Sequence, residues 1–341
     1  MVTGTGMKRV LDLTKRSPVS EELFKTFSKR IIGQDEAVRV LTNIVEKYQA
    51  GLCDPTKPAG NALFLGPTGT GKTFTVESMC EALVGNPRAC IKIDCAEFQH
   101  SHEIAKLTGS PPGYLGHRET HPMLTQEALN QFHTEKCKLS VLLLDEIEKA
   151  SDALWQLLLG ILDKATLTLG DNRVVNFSQV IIVMTSNLGA SEMNGLYQGG
   201  IGIKAQERKV TADKIKDVAV QTAKRKFTPE FMNRIDHMVV FNTLTEKDVD
   251  SILSMELGKV QTTIFGASHT FFYLTPEARD VIFKEGYSKE YGARNIKRAI
   301  EKRISIPLSR LLSSDQVKEG ETIVISEVGA PEFEYSVEEK K

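Results

Sequence analysis

The sequence predicts an α/β fold: a parallel sheet flanked by helices, followed by a smaller C-terminal domain that is mostly helical. Three observations predict it. Apolar runs of strand length alternate with amphipathic stretches up to about residue 242, as expected of a sheet whose crossovers are helices. A glycine-rich turn follows the first of these runs directly. Beyond residue 242 the pattern changes to helical stretches with two short strand signals.

In chain order, residues 1–30 read as a linker and one short helix beginning near Ser20-Glu-Glu. Strands are expected at 61–65, 89–94, 140–145, 179–185 and 237–241. Between the third and fourth, Leu154, Leu157, Leu158, Ile161 and Leu162 recur at the spacing of a buried helix face, and Trp155 beside them reads as edge packing. Helices follow at 245–260, 276–286 and 292–312, with short strands near Phe271 and Thr322. The resulting division is 1–30, a large α/β domain over 31–242, and a small domain over 243–341.

Composition narrows the function classes. A chain of 341 residues can bury a sizeable core, and 41% hydrophobic with 26% charged residues is ordinary globular usage. A formal net charge of -1 supplies no general attraction to nucleic acid or an anionic membrane. No run of about 18 apolar residues exists to span a bilayer, and the start MVTGTGMKRV lacks an apolar signal core, so a cytoplasmic location is expected. The five cysteines are scattered and without C-x-x-C spacing, which suits a reducing compartment. His100, His102, His117 and His121 fit no compact zinc spacing, and Pro122 interrupts any helix that could present them.

The strongest chemical signal is LFLGPTGTGKT at 63–73, a G-x-x-x-x-G-K-[ST] turn placed after a strand. Glycines there let backbone N–H groups close on phosphates, Lys72 can reach the β- and γ-phosphates, and the Thr73 hydroxyl can ligate Mg2+. VLLLDE at 141–146 ends a buried strand in two carboxylates. Asp145 is expected to hold Mg2+ through water, and Glu146 to orient and polarise an attacking water, which points to hydrolysis rather than binding alone. A third strand, VIIVMTSN, closes on Asn187, which can fix the lytic water or touch the γ-phosphate.

Seven stretches in order, IIGQDEAV, LFLGPTGTGKT, GSPPGYLGH, VLLLDEIEKA, VIIVMTSNLGA, FTPEFMNRID and YGARNIKRAIE, make the chain resemble the Clp family of AAA+ protein unfoldases, specifically the second ATPase module of its two-ring members. The resemblance implies an AAA+ P-loop fold, a homo-oligomeric ring, usually a hexamer, with ATP and Mg2+ between subunits, and a pore that threads polypeptide. It implies that Pro67, Thr68, Gly69, Thr70, Gly71, Lys72 and Thr73 hold the nucleotide and that Ile31, Ile32, Gly33 and Gln34 line the adenine pocket. Arg294, following Ala293 in what reads as the first turn of a helix, would be a second sensor. Arg234 would be a finger reaching the next subunit's ATP, a role suited to a planar and permanently charged group.

Gly113, Tyr114, Leu115 and Gly116 would form the pore loop, Tyr114 offering a large apolar surface with few rotors against any sequence. His117-Arg-Glu-Thr-His-Pro-Met departs from the family's acidic and paired-glycine continuation, and 163–172 lacks its glycine-rich second pore loop. Ile201, Gly202 and Ile203 come close to the tripeptide by which relatives dock on a ClpP-type peptidase, with a final isoleucine where leucine or phenylalanine is usual. Two other classes are compatible with an ATP site: a nucleotide-controlled switch that remodels a partner complex without threading, and a nucleic-acid motor, which the near-neutral charge argues against.

Overall fold

The computed structural model describes residues 11–12, 14–110, 121–198, 212–287, 293–327 and 332–337. Its first seven strands are β1 (Gly60–Leu65), β2 (Ile91–Asp94), β3 (Ser140–Asp145), β4 (Thr166–Thr168), β5 (Val174–Asn176), β6 (Val180–Ser186) and β7 (His237–Val240). Five of them form one sheet in the order β2-β3-β6-β1-β7, and every pairing in it is parallel. Alternate residues feed two separate cores. Leu63, Leu65, Leu142, Leu144, Ile182 and Met184 pack on one face, and Ala62, Phe64, Val141, Leu143, Ile181 and Val183 on the other. A sheet covered on both faces needs apolar residues at every position, which is why these runs show no alternation in sequence.

The second face is covered partly by the Pro18–Arg30 helix. Ser17 caps it by accepting from the Ser20 N–H, Pro18 opens its first turn, and Leu23 and Phe27 are buried in the sheet's own core. On the first face lies Asp152–Lys164, with Leu154, Leu158, Ile161 and Leu162 buried as their spacing requires. Trp155 does pack at the edge: its ring meets Phe227 edge-on at 5.5 Å, and its indole N–H donates to the Ile147 carbonyl at 3.1 Å.

The antiparallel β4–β5 hairpin had no counterpart in the expected elements. Its three-residue strands are too short to leave a periodic signal. Its turn is pinned to the segment ahead of residue 111, because the Gly170 N–H donates to the Thr108 carbonyl at 2.8 Å. A Cβ at Gly170 would lie only 2.7 Å from the Gly109 carbonyl oxygen, so only glycine allows this approach.

Past residue 242 a third core gathers Val249, Leu253, Ile282, Ile296, Ile323 and Ile325. It is built from helices Glu246–Ser268 and Pro276–Gly286 with strands β8 (Phe271–Leu274), β9 (Thr322–Glu327) and β10 (Phe333–Val337), ordered β10-β9-β8. The first helix runs eight residues beyond the expected end at 260. Thr262, Thr263 and Ile264 weaken its intrinsic propensity, but packing of Val260 and Ile264 against the small core overrides that. The expected 292–312 helix is three segments: Ile296–Ile300, a π turn over Glu301–Ser305, and Ile306–Ser313. The widened turn sits just ahead of Pro307, which has no N–H to give to a regular ladder. No helix among the described residues is long and apolar enough to cross a membrane.

Leu143 is fully buried at the centre of the parallel sheet. Leu143→Ala is expected to lower unfolding free energy by about 2–5 kcal/mol through lost transfer energy and a residual cavity. Urea denaturation should show the midpoint falling with the slope unchanged.

Candidate active site

Parallel strands end together, and here their register aligns the ends closely: Asp94 faces Asp145 across β2 and β3, and Leu65 faces Ser186 across β1 and β6. The residues that follow therefore converge on one sheet edge, where open α/β folds bind ligands. A cavity of about 580 Å³ opens there against the smaller helical unit. Thr68, Gly69, Thr70, Gly71, Lys72 and Thr73 line it on one side, and Ala293, Arg294 and Lys297 on another.

The glycine turn owes its shape to left-handed and extended-positive backbone that other residues resist, with φ of 141° at Gly66, 77° at Gly69 and 97° at Gly71. A Cβ on Gly66 would come within 2.6 Å of the Phe241 carbonyl oxygen, whereas one on Gly71 would meet nothing within 4 Å. The turn delivers the chain into the Lys72–Val84 helix, whose first turn borders the cavity and whose free N–H groups and dipole favour an anion. The Lys72 ammonium donates to the carbonyls of Gly66 at 2.6 Å and Pro67 at 2.8 Å, and to Asn187 Oδ1 at 2.9 Å. Burial pushes its pKa down to about 8, against the opposing pull of Glu148, Asp145 and Glu146.

Across the site, the Thr73 hydroxyl lies 3.4 Å from each oxygen of Asp145 at the end of β3. Asp145 also accepts from the Thr185 hydroxyl and is ion-paired with Lys92 at 3.2 Å. Glu146 stands in left-handed backbone, φ 57° and ψ 50°, a conformation that costs a non-glycine residue on the order of 1–3 kcal/mol and is held here by its surroundings. Its N–H donates to Thr185 Oγ1 at 3.1 Å. Its carboxylate accepts from the Asn187 amide at 3.0 Å and from Lys149 at 2.5 Å.

Of the expected residues, Ile31, Ile32 and Gln34 line the cavity with the glycine turn, Asp145, Glu146, Asn187, Ala293 and Arg294. Gly33 and Pro67 do not. Gly33, at φ 75°, lies behind the wall against Leu244 and Asp248, and Pro67 contributes its carbonyl to Thr70 and Lys72. The Gln34 side chain is spent on the protein: it donates to the Thr70 and Asn242 carbonyls and accepts from the Asn242 N–H. Arg294 corrects the sequence reading, since it lies in the turn before the Ile296–Ile300 helix rather than in its first helical turn. Arg234 is outside the cavity altogether. It ends the Pro229–Asn233 helix, pairs with Asp163, and its carbonyl accepts from Asn61 near the start of β1, away from the strand ends that form the site. Gly113, Tyr114, Leu115 and Gly116 lie outside the described residues, as do Ile201, Gly202 and Ile203.

Several site residues escaped the sequence reading. Thr185 and Glu148 fall inside the stretches VIIVMTSNLGA and VLLLDEIEKA, but nothing local names their partners; strand order brings Thr185 and Lys92 to Asp145 and Glu148 to Asn187. The one available signal was that Thr185 precedes Asn187 at the end of an apolar run.

The residues present fit a Mg2+-nucleotide. The glycine backbone and helix start form an anion cradle. Thr73 and Asp145 offer hard oxygen donors in the small number that suits a Mg2+ ion keeping waters and phosphate oxygens as its other ligands.

A phosphate cradle, a strand-end carboxylate pair and a polar strand end between them define a P-loop nucleoside-triphosphatase. Residues 57–238 match the family model described as AAA domain (Cdc48 subfamily), and residues 244–325 that of the C-terminal, D2-small domain of ClpB protein. The chain belongs to this AAA family, as an ATPase module of the Clp type. It is 36% identical over 334 residues to the ATP-dependent Clp protease ATP-binding subunit ClpC of Staphylococcus aureus, covering 97% of this chain and 40% of that protein. Against the Staphylococcus epidermidis ClpC it is 36% identical over 314 residues, covering 92% and 37%. It thus spans about two fifths of the length of these relatives. A closed-state cryo-EM reconstruction of Hsp104 with ATPγS and FITC casein superposes with a TM-score of 0.76 at 30% identity, over 93% of this chain and 51% of that one.

Lys72 makes the site's charge visible in stability. Between pH 8 and its ordinary pKa of 10.5, the unfolded chain holds a proton that the folded chain has released. Stability therefore rises with pH through that window and is lowest below pH 8, where both states are protonated. In nucleotide-free buffer, the unfolding free energy of the chain relative to Lys72→Met should grow by on the order of 3 kcal/mol from pH 8 to 10.5. A pH-independent difference would contradict the burial effect.

Proposed function

We propose that the chain is the ATP-hydrolysing part of a protein unfoldase or disaggregase, assembled as a homo-oligomeric ring, most simply a hexamer, that draws polypeptide through a central pore. The observation that carries the hydrolytic half is the hydrogen-bonded line Lys72, Asn187, Glu146, with Thr73 and Asp145 facing each other beside it. Bound ATP supplies the transferable phosphoryl group, and its Mg2+ neutralises charge on the phosphates. Thr73 and Asp145 would hold the Mg2+, and Lys72, the glycine turn and Arg294 would hold the phosphates. Ile31 and Ile32 would flank the base. Glu146 would orient and polarise the attacking water, with Asn187 fixing its position.

Arg234 supports the ring reading. Remote from this chain's own cavity, it can serve a phosphate only if that phosphate belongs to a neighbouring copy. Threading is favoured by the pairing of the described chain on either side of Tyr114: Met123 and Leu124 donate backbone hydrogen bonds to the carbonyls of Lys106 and Leu107 at 3.0 and 3.1 Å. The likeness to the Hsp104 reconstruction with casein favours a polypeptide as the substrate. The reading divides the chain into a large domain over 31–242 and a small domain over 243–341, with 1–30 preceding them, and sets it in the cytoplasm. The alternative reading, favoured by the ClpC likeness, is an ATPase subunit that feeds a ClpP-type peptidase, on which Ile201, Gly202 and Ile203 would dock.

Glu146→Gln keeps the hydrogen-bond acceptor for Asn187 but loses the basic carboxylate. ATP turnover should fall by at least about 100-fold, with nucleotide affinity retained; wild-type turnover would remove the assignment. Tyr114→Ala should leave hydrolysis within roughly twofold while abolishing unfolding of a tagged model protein, because the ring's grip is apolar area rather than chemistry. Unfolding at the wild-type rate would exclude threading through this loop.

A further inference from the structure

Asn187 stands one residue beyond the sheet. The β1–β6 ladder ends at Leu65 and Ser186, and the β3–β6 ladder at Leu144 and Met184, so its backbone N–H has no strand partner. The acceptor comes instead from a side chain: Glu148 Oε1, 3.1 Å away in the short 3-10 turn Ile147–Lys149 that follows the carboxylate pair. The bond ties that turn back onto the end of β6. Two residues earlier on each segment, the Glu146 N–H donates to Thr185 Oγ1, so two bonds stitch the two strand ends together past the last pairing of β3 with β6.

We propose that Glu148 is a positioning residue for hydrolysis, holding the Asn187 backbone so that its side-chain amide bridges Lys72 and Glu146. The assignment rests on the hydrolytic reading above. Three facts favour it over a surface role. The other Glu148 oxygen is buried and has no hydrogen-bond partner among the described residues, so this carboxylate is held at a cost rather than solvated. The Asn187 N–H lies beyond both ladders, where no strand carbonyl is at hand, so an acceptor reaching over from the turn after β3 is what satisfies it. The geometry it fixes is specific: the Asn187 side chain must place its oxygen 2.9 Å from Lys72 and its nitrogen 3.0 Å from Glu146 at once. Glu148 itself makes no hydrogen bond to either of those groups.

What matters in this proposal is an acceptor at the right reach, not a negative charge. Glu148→Gln keeps reach and acceptor while losing charge; Glu148→Asp keeps charge but withdraws the oxygen by one methylene; Glu148→Ala removes both. With saturating ATP at neutral pH, kcat should fall about 10- to 100-fold in the Ala and Asp variants, as is typical when a supporting partner of a reactive group is lost, and stay within roughly threefold of wild type in the Gln variant. A fluorescent ADP analogue should bind all of them within a few-fold of wild type, since the cradle is untouched. Amide exchange of Asn187 in the nucleotide-free chain gives a readout independent of turnover. It should quicken roughly tenfold in Asp and Ala but not in Gln. If Ala does not fold, the order of Gln and Asp still decides. Asp at wild-type level with Gln impaired, or unchanged Asn187 exchange in every folded variant, would overturn the positioning role. Glu146→Gln assayed alongside separates the two ideas: undiminished turnover there refutes the hydrolytic reading, whereas its loss together with an indifferent Glu148→Ala refutes only this one.

Discussion

One side-chain amide organises the site. Asn187 accepts from Lys72 with its oxygen and donates to Glu146 with its nitrogen, so the glycine turn and the strand-end carboxylate are set relative to each other through a single rigid group. That is possible because β6 lies between β1 and β3 in the sheet. Were β1 and β3 neighbours, no third strand end would separate cradle from carboxylate, and the two charges would meet directly. The strand order is thus a chemical specification, and the two apolar cores that clamp the sheet are what hold it to tolerance.

Electrostatics show the same design from the other side. Lys72 is buried beside three carboxylates, and burial still prevails in lowering its pKa. A lysine so placed is poorly hydrated, and the carbonyls of Gly66 and Pro67 take the place of water around it. Glu146 in turn is restrained from both ends, by a backbone conformation that few residues adopt and by bonds to Asn187 and Lys149. Such restraint favours catalysis, because a group that is already oriented need not be reorganised when the barrier is crossed.

The legible part of this molecule was whatever local sequence encodes. Continuous apolar runs mark the central strands β1, β3 and β6, and the glycine turn and carboxylate pair declare their chemistry by spacing alone. Illegible were the features that depend on neighbours in space: the strand order, the hairpin of three-residue strands, the extra turns of the Glu246–Ser268 helix, and the roles of Thr185, Lys92 and Glu148. Arg294 shows the intermediate case. Its presence at the cavity was foreseen, but the helix start two residues later was not. Gln34 lines the cavity, and what the sequence does not show is that its buried amide also satisfies itself by tying the glycine turn to the chain entering the small core.

The glycine contact between the β4–β5 turn and the segment ahead of residue 111 has a mechanical meaning. At its far end the hairpin grows out of the helix that carries Asp163, the partner of Arg234, and the Phe177 N–H closes it back onto Ala165 at 2.7 Å. At its near end Gly170 is pressed against Gly109 with no side chain between them. The hairpin therefore bridges the helix that carries Asp163 and the segment that reaches Gly109. Main chain bears on main chain there, so no side-chain rotation can take up a displacement between the two.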